Sequence, residues 1–187
     1  MDAMVIEANI DGWAVSKILV DGGSSVDIIF TSTLDAMKID RKILGRAEHP
    51  LYGFGGKKIH SIGRIVLPVS FGTVSNARTK QIAFDVVDMY YPYNALFGRG
   101  TLNAFEAVIS YSYLCMKMPA INGVITVHGD QTEARNIKKE YTPGQKNIHT
   151  ISEEEEKEET ENAKPQPKAQ AYEETKRVPL DPLVPDK

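Results

Sequence analysis

The chain has 187 residues, of which 42% are hydrophobic, with a formal net charge of −3 and a single cysteine, Cys115. One cysteine excludes an internal disulfide framework, and the near-neutral balance of charge before residue 152 gives no electrostatic basis for direct nucleic-acid binding. No apolar run approaches membrane-spanning length and residues 1–10 lack the pattern of a secretory signal, so we expect an intracellular, cytoplasmic protein with no membrane partner.

The end of the chain differs in composition from the rest. Residues 152–187 contain eleven acidic residues, six basic residues and five prolines, with almost no apolar periodicity. Such a segment cannot bury enough apolar surface to offset the entropy of ordering it. We therefore predict one domain over residues 3–130 and an acidic, proline-containing linker or disordered tail over residues 131–187, which would serve as a solvated spacer or as an interaction tail.

The chain opens with a predicted hairpin. Residues 4–10 alternate weakly between apolar and polar side chains, and Asp11 and Gly12 form a turn. Residues 13–20 then carry β-branched and aromatic side chains, which are typical of a strand. This second apolar run stops at Asp21.

The loop that follows places an acid between two apolar segments. Asp21 is followed by Gly22, Gly23, Ser24 and Ser25 before the apolar run resumes. Backbone on both sides would hold the carboxylate, and the glycines would let a ligand or a second chain approach closely. Asp21 is therefore a candidate catalytic residue, and an ordinary surface Asp-Gly turn is the alternative.

A short helix and a glycine-rich hairpin are predicted next. Thr31 or Ser32 would cap the helix at its N-terminus. Residues 50–63 consist of two strand-like arms joined at Gly55 and Gly56. Because glycines weaken strand packing, this hairpin is either a movable flap over a ligand or an ordinary hairpin with a type I′ turn.

Short strands fill the rest of the predicted domain. Pro68 indicates that the strand over residues 64–71 lies at a sheet edge or contains a bulge. One or two helical turns are predicted over residues 101–105. Further strands are predicted over residues 81–87, 107–111, 113–118 and 124–128. Short strands with brief helices, and no parallel βαβ alternation, indicate a compact, closed, all-β architecture.

Four segments occur in an order that resembles one protein family. They are I-L-V-D-G-G-S-S-V-D-I-I-F at residues 18–30, L-Y-G-F-G-G-K at 51–57, P-Y-N-A-L-F-G-R-G-T-L-N-A-F at 92–105 and G-V-I-T-V-H-G-D-Q at 123–131. The chain resembles the retropepsin-like aspartic proteases, most closely the protease segment of plant gypsy-type long-terminal-repeat retrotransposon polyproteins. The resemblance implies an all-β, closed six-stranded acid-protease barrel with one or two short helices.

The resemblance also implies roles for individual residues. Asp21 would be the one catalytic aspartate that each chain supplies, so an active aspartic endopeptidase would require a homodimer. The substrate would be a polypeptide, a retrotransposon polyprotein cleaved in the cytoplasm or in a virus-like particle, and no cofactor or metal is implied. The remaining roles would fall to an active-site loop at Gly22, Gly23 and Ser24, a substrate-binding flap at Phe54, Gly55 and Gly56, and a supporting loop at Leu96, Phe97, Gly98 and Arg99.

Position 22 departs from the family pattern. In the family the aspartate is followed by threonine or serine, whose hydroxyl hydrogen-bonds across the dimer, whereas this chain has Gly22. Ser24 keeps a hydroxyl close to the carboxylate, and compensation by this hydroxyl is left open. The alternative function is therefore a catalytically inactive retropepsin-fold module for dimerisation or peptide binding, derived from a decayed element.

Other polar residues have less specific assignments. Asp27, within the apolar run that resumes after the loop at Asp21, is expected to face solvent or a backbone group rather than to share the chemistry. Arg99 would either form an ion pair between subunits or begin a helix as a solvated arginine. The four histidines lack paired spacing, so no metal site is expected.

Overall fold

The computed structural model describes residues 2–47, 50–53, 56 and 58–140, and β-strands are the main regular secondary structure of these residues. In these residues the strands are β1 (Val5–Ile10), β2 (Trp13–Val20), β3 (Asp27–Phe30), β4 (Leu51–Tyr52), β5 (Lys58–Ile59), β6 (Ser61–Thr73), β7 (Asn76–Val87), β8 (Ala95–Phe97), β9 (Val108–Ser110), β10 (Cys115–Ala120) and β11 (Gly123–His128). The helices are α1 (Thr31–Ala36), α2 (Arg99–Ala104) and α3 (Gln131–Glu140), and a 3₁₀ turn covers Arg41–Ile43.

Six strands close into a barrel in the order β1, β2, β8, β3, β7 and β6. β1 and β2 form the predicted hairpin, in which Ile10 pairs with Trp13 across the turn at Asp11 and Gly12. Pro68 was predicted to lie at a sheet edge or a bulge. It is in β6, one residue beyond the last residue of that strand that pairs with β1, and its carbonyl accepts a hydrogen bond from the Asp11 N–H at 2.8 Å. The closed six-stranded barrel and the short helices confirm the fold predicted from the sequence.

Two parallel pairings inside the barrel were not expected from the sequence. β2 runs parallel to β8, with Val20 beside Phe97, and β3 runs parallel to β7, with Phe30 beside Val87. β8 also pairs in the antiparallel sense with β3. Because β2 and β8 end together, the loops that follow Val20 and Phe97 begin side by side.

Phenylalanines and aliphatic side chains fill the barrel interior. The rings of Phe71 and Phe105 meet edge-on with centroids 5.0 Å apart, and those of Phe84 and Phe97 lie 6.0 Å apart. Each such pair adds about 0.5–1.5 kcal/mol beyond the apolar area that it buries. Phe97 is fully buried, so the chain that leads into Gly98 is anchored in the core.

β6 and β7 are longer than the strands predicted over residues 64–71 and 81–87. They form one hairpin that turns at Val74 and Ser75. Residues 76–80 were not predicted as strand because they lack a run of apolar residues, although their side chains alternate between half-buried and exposed. A strand at the surface needs only this alternation.

The predicted caps of α1 are wrong. Phe30 occupies the N-cap position, and its side chain forms no capping hydrogen bond. Thr31, which was predicted with Ser32 as a cap, is the first helical residue, and its hydroxyl donates to the Asp88 carboxylate at 2.7 Å. The hydroxyl therefore ties the start of the helix to the loop after β7 instead of satisfying a helix N–H.

β9, β10 and β11 form a separate three-stranded sheet, and α3 follows it. Asp130 begins this helix, since its carboxylate accepts from the Glu133 N–H at 2.8 Å. Ala134 and Ile137 are buried together with Val5 of β1. The domain was predicted to end at residue 130, immediately before this packed helix. In the part of the chain that the structure covers, no helix is long and apolar enough to cross a membrane.

Candidate active site

Asp21 stands at the end of β2, beside the end of β8. Its backbone N–H donates to the carbonyl of Phe97 at 2.9 Å, which continues the pairing of the two strands. The side chain is half-buried. The predicted catalytic residue is therefore attached to the barrel by its main chain. β2 and β3 each pair with β8 and not with each other, so the Asp-Gly turn between them does not close a hairpin.

The residues after Asp21 form a tight turn around its carboxylate. The Gly23 N–H donates to Asp21 Oδ1 at 2.9 Å, and the Ser24 N–H donates to the Asp21 carbonyl at 3.1 Å. A Cβ at position 23 would lie 3.1 Å from Asp21 Oδ1, so glycine allows the N–H to approach without crowding.

The Ser24 hydroxyl forms its hydrogen bonds with the backbone of Val26. Ser24 Oγ donates to the Val26 carbonyl at 2.9 Å, and the Val26 N–H donates back to Ser24 Oγ at 3.3 Å. Such local bonds between a serine and nearby backbone close a turn. Compensation for Gly22 by Ser24, which the sequence left open, is therefore not supported by these contacts.

The predicted supporting loop lies against the active-site loop through Arg99. The Arg99 N–H donates to the Ser24 carbonyl at 2.9 Å, and Arg99 Nη1 donates to the Gly23 carbonyl at 3.0 Å. A Cβ on Gly98 would lie 2.9 Å from the Ser24 carbonyl oxygen and closer still to that of Val26. Only glycine permits this approach. Arg99 thus holds the loop of its own chain, and an ion pair between subunits stays a prediction.

Asp27 joins the same loops from a buried position, with 5% of its surface exposed. Its Oδ1 accepts from the Gly98 N–H at 2.8 Å, and its two oxygens accept from the Thr101 N–H at 3.2 and 3.1 Å. Burial raises the pKa of the Asp27 carboxyl; Asp85 adds to the rise, and hydrogen bonds from Thr101 and Gly98 oppose it. A Cβ on Gly100 would collide with Asp27 Oδ2. Asp27 therefore faces backbone groups, one of the two surroundings expected for it.

A cavity of about 710 Å³ opens beside Asp21. This is within the usual range of pockets that hold small ligands or peptide side chains. Its apolar wall comes from β3, β8, the β4–β5 hairpin and the active-site loop, through Val26, Ile28, Leu51, Ile59 and Leu96. Among the residues that the structure describes, no group of three or more His, Cys, Asp or Glu side chains could hold a metal ion.

β4 and β5 form a hairpin where the flap was predicted, and both strands contribute to the wall of this cavity. The Gly56 N–H donates to the Gly53 carbonyl at 3.1 Å. Gly56 has a φ of +81°, a left-handed conformation that glycine adopts without strain. Phe54 and Gly55 lie outside the described residues, so their contact with a substrate stays a prediction.

Tyr111 is a contact of the active-site loop that was not predicted from the sequence. Its phenol oxygen accepts from the Gly22 N–H at 3.4 Å, across a separation of 89 residues. No local pattern marks such a residue, because the contact arises from the way the small sheet packs beside the barrel. The hydrogen-bonding role of Asp27 had a weak signal, an acid inside an apolar run.

Comparison with solved structures bears on the fold. The retroviral protease-like domain of Ddi1 from Leishmania major aligns with 70% of this chain and 92% of its own, with a TM-score of 0.51 and 17% identity. A retropepsin-like aspartic protease from Rickettsia conorii aligns with 66% of this chain and 80% of its own, with a TM-score of 0.43 and 18% identity. No protein-family model matches the chain, and no curated protein matches it either. The closed six-stranded barrel and the first of these alignments show that the chain has a retropepsin-like fold.

Proposed function

We propose that the chain is an aspartic endopeptidase in which Asp21 supplies one half of a catalytic dyad. The observation that carries the proposal is the position of the Asp21 carboxylate, which the Gly23 N–H holds at 2.9 Å beside a cavity of about 710 Å³. The retropepsin-like fold and the glycine-rich hairpin beside the cavity support the same reading.

The other half of the dyad would come from a second copy of the chain. Asp-Gly-Gly-Ser occurs once in the sequence, so one chain offers one such loop. A twofold axis would bring two copies of Asp21 face to face through an isologous contact. Two carboxylates a few ångströms apart cannot both ionise, so they share one proton and titrate as a pair. The proposal therefore includes a homodimer.

The shared proton divides the chemical work between the two carboxyl groups. The ionised group takes a proton from water, and the protonated group donates a hydrogen bond to the scissile carbonyl. The oxygen of the water forms a bond to the carbonyl carbon, and the C–N bond breaks as a proton moves to the leaving nitrogen. No covalent intermediate with the enzyme is formed. The β4–β5 hairpin would cover the peptide and exclude bulk water.

The proposed substrate is a polypeptide in an extended conformation. The apolar wall formed by residues such as Ile28, Leu51 and Leu96 suits apolar side chains on either side of the scissile bond. The sequence motifs favour a plant gypsy-type retrotransposon polyprotein, processed in the cytoplasm or in a virus-like particle. The protease domain, predicted over residues 3–130, would then also include α3. The rest of the predicted tail lies outside the described residues, and we propose that it forms the linker to the next segment of the polyprotein.

A cleavage assay with the full chain tests the chemistry. Wild-type protein should cleave an unfolded protein at about pH 4–6, where a carboxyl pair holds a single proton. Asp21→Asn should abolish cleavage, whereas Asp11→Asn, at an exposed turn on the same hairpin, should not change it. Equal turnover by wild type and Asp21→Asn would exclude Asp21 as the catalytic residue.

A mixing experiment tests whether the dyad is shared between chains. When wild-type and Asp21→Asn chains exchange freely in equal amounts, about half of the wild-type chains pair with an inactive partner. Activity per wild-type chain should then fall to about half. An activity per wild-type chain that stays constant at every mixing ratio would contradict a shared dyad. Sedimentation of the active protein as a monomer would also contradict it.

Gly22 favours a second candidate function, an inactive module that binds peptides or dimerises. Without a hydroxyl at position 22, one hydrogen bond that steadies the paired loops in the resembled family is lost, at a cost of about 0.5–1.5 kcal/mol. This candidate predicts a dimer that binds unfolded peptides equally well as wild type and as Asp21→Asn, without cleavage by either.

A further inference from the structure

The Gly22 N–H has a partner inside its own chain. The phenol oxygen of Tyr111 accepts from this N–H at 3.4 Å. A Cβ built at position 22 would lie 3.7 Å from the same oxygen and 3.9 Å from Leu102 Cδ1, which are ordinary van der Waals distances. The space beside Gly22 that a longer side chain would enter is therefore bordered by a hydroxyl group.

Tyr111 is held in this place by the small sheet. It follows Ser110, the last residue of β9, which pairs with Cys115 of β10. Ser110 Oγ accepts from the Tyr113 N–H at 3.4 Å, which closes the turn that contains Tyr111. Tyr111 is 37% exposed and contacts the active-site loop, whereas Tyr113 is 83% exposed. The two tyrosines of one turn thus have different surroundings.

We propose that Tyr111 is a positioning residue for the active-site loop. Its hydroxyl supplies, from within the same chain, an oxygen beside the main chain at position 22 that Gly22 cannot provide. A tyrosine hydroxyl can accept from an N–H and still donate its own proton, so it suits this role. The contact fixes the peptide unit directly after Asp21, and so the direction in which the Asp21 carboxylate points. The inference rests on the proposed endopeptidase function.

The role of Tyr111 predicts a specific kinetic defect. Tyr111→Phe removes only the hydroxyl and keeps the ring, so the chain should fold and bind peptide with an unchanged KM. We expect kcat to fall about 3- to 10-fold, the equivalent of one ordinary hydrogen bond. Tyr113→Phe is the matched control and should leave kcat unchanged.

Amide hydrogen exchange at Gly22, followed by NMR on the full chain, gives a readout that does not depend on activity. In Tyr111→Phe this amide should exchange about 3- to 10-fold faster, while amides of the barrel strands keep their wild-type rates. Unchanged exchange at Gly22, or the same acceleration in Tyr113→Phe, would overturn the assignment. If wild-type protein cleaves nothing, the proposed function fails while the exchange experiment still decides the role of Tyr111.

Rescue separates positioning from a general loss of stability. Gly22→Ser in the Tyr111→Phe background restores a hydroxyl at the loop, and the available space accepts the added Cβ. We expect kcat of the double variant to recover to within about twofold of wild type. A kcat no higher than that of Tyr111→Phe, in a protein with wild-type thermal stability, would contradict the proposal that Tyr111 substitutes for the missing hydroxyl.

Discussion

Replacing Asp27 with alanine should destabilise the barrel because it leaves two buried donors without an acceptor. The carboxylate accepts from the Gly98 N–H at 2.8 Å and from the Thr101 N–H at 3.1 Å. An unsatisfied buried donor costs about 1–3 kcal/mol, so the two together cost about 2–6 kcal/mol. Removing a buried carboxylate offsets part of this cost. We therefore expect the free energy of unfolding to fall by about 2–4 kcal/mol.

The size of this loss should depend on pH with a definite sign. Because burial raises the pKa of Asp27, the native chain holds the proton more tightly than the unfolded chain, whose ordinary value is 3.8. The stability that this group contributes is therefore fully present below 3.8 and falls as the pH rises through the raised native pKa. The difference between wild type and Asp27→Ala should be larger at low pH than at neutral pH.

Urea unfolding followed by circular dichroism, at about pH 4 and about pH 7, measures both effects. Asp27→Asn keeps an acceptor oxygen for the two N–H groups and cannot ionise, so it should lose little stability and lack this pH dependence. Glu7→Ala, at an exposed acid of β1, serves as the control. A loss below about 0.5 kcal/mol for Asp27→Ala, or an equal loss for Glu7→Ala, would refute the reasoning.

Three further substitutions test the site and its support. Gly22→Thr should fold normally, because the nearest atoms to its Cβ lie 3.7 and 3.9 Å away. It should tighten the dimer in sedimentation while kcat stays within about twofold of wild type, because Tyr111 already supplies a hydroxyl beside position 22; a weaker dimer in a folded protein would contradict this. Gly98→Ala should abolish cleavage and lower the free energy of unfolding by about 1–3 kcal/mol, because its Cβ would lie 2.9 Å from the carbonyl oxygen of Ser24 in the active-site loop. Gly22→Ala is the control, because the structure has space for a Cβ at position 22. Ile137→Ala should lower the free energy of unfolding by about 2 kcal/mol in urea titrations, because the Ile137 side chain is 2% exposed and packs with Val5. An unchanged free energy of unfolding would show that the packing of α3 against β1 does not stabilise the domain.

Local signals in the sequence were sufficient for the barrel hairpins and for the loop at Asp21. Alternation and turn residues located β1 and β2, and glycines located the β4–β5 hairpin. The parallel pairing of β2 with β8 could not be predicted in this way, because it joins segments that are distant in sequence and depends on the closure of the barrel. Tyr111 could not be predicted either, because its contact with Gly22 also joins residues that are distant in sequence. Asp27 was expected to face solvent or backbone, and its carboxylate accepts from backbone N–H groups.

The sequence contains a signal for the start of α3, although residues 131–140 were predicted as part of the tail. Asp130 followed three residues later by Glu133 is a typical helix start, and Ala134 and Ile137 are spaced to share one helical face. The tail was predicted from residue 131, although its acidic, proline-containing composition begins only at about residue 152. The first ten residues of the predicted tail form α3.

The Asp27 carboxylate fills the space beside Gly100, because a Cβ on Gly100 would collide with Asp27 Oδ2. A substitution at one of these positions during evolution therefore depends on the residue at the other. A side chain can be accepted at position 100 only after position 27 has become smaller, whereas a smaller residue at 27 leaves two N–H groups that need a new acceptor. Relatives that have lost the acid at 27 should carry a polar side chain at 100 in its place, and the two substitutions should be found together more often than apart.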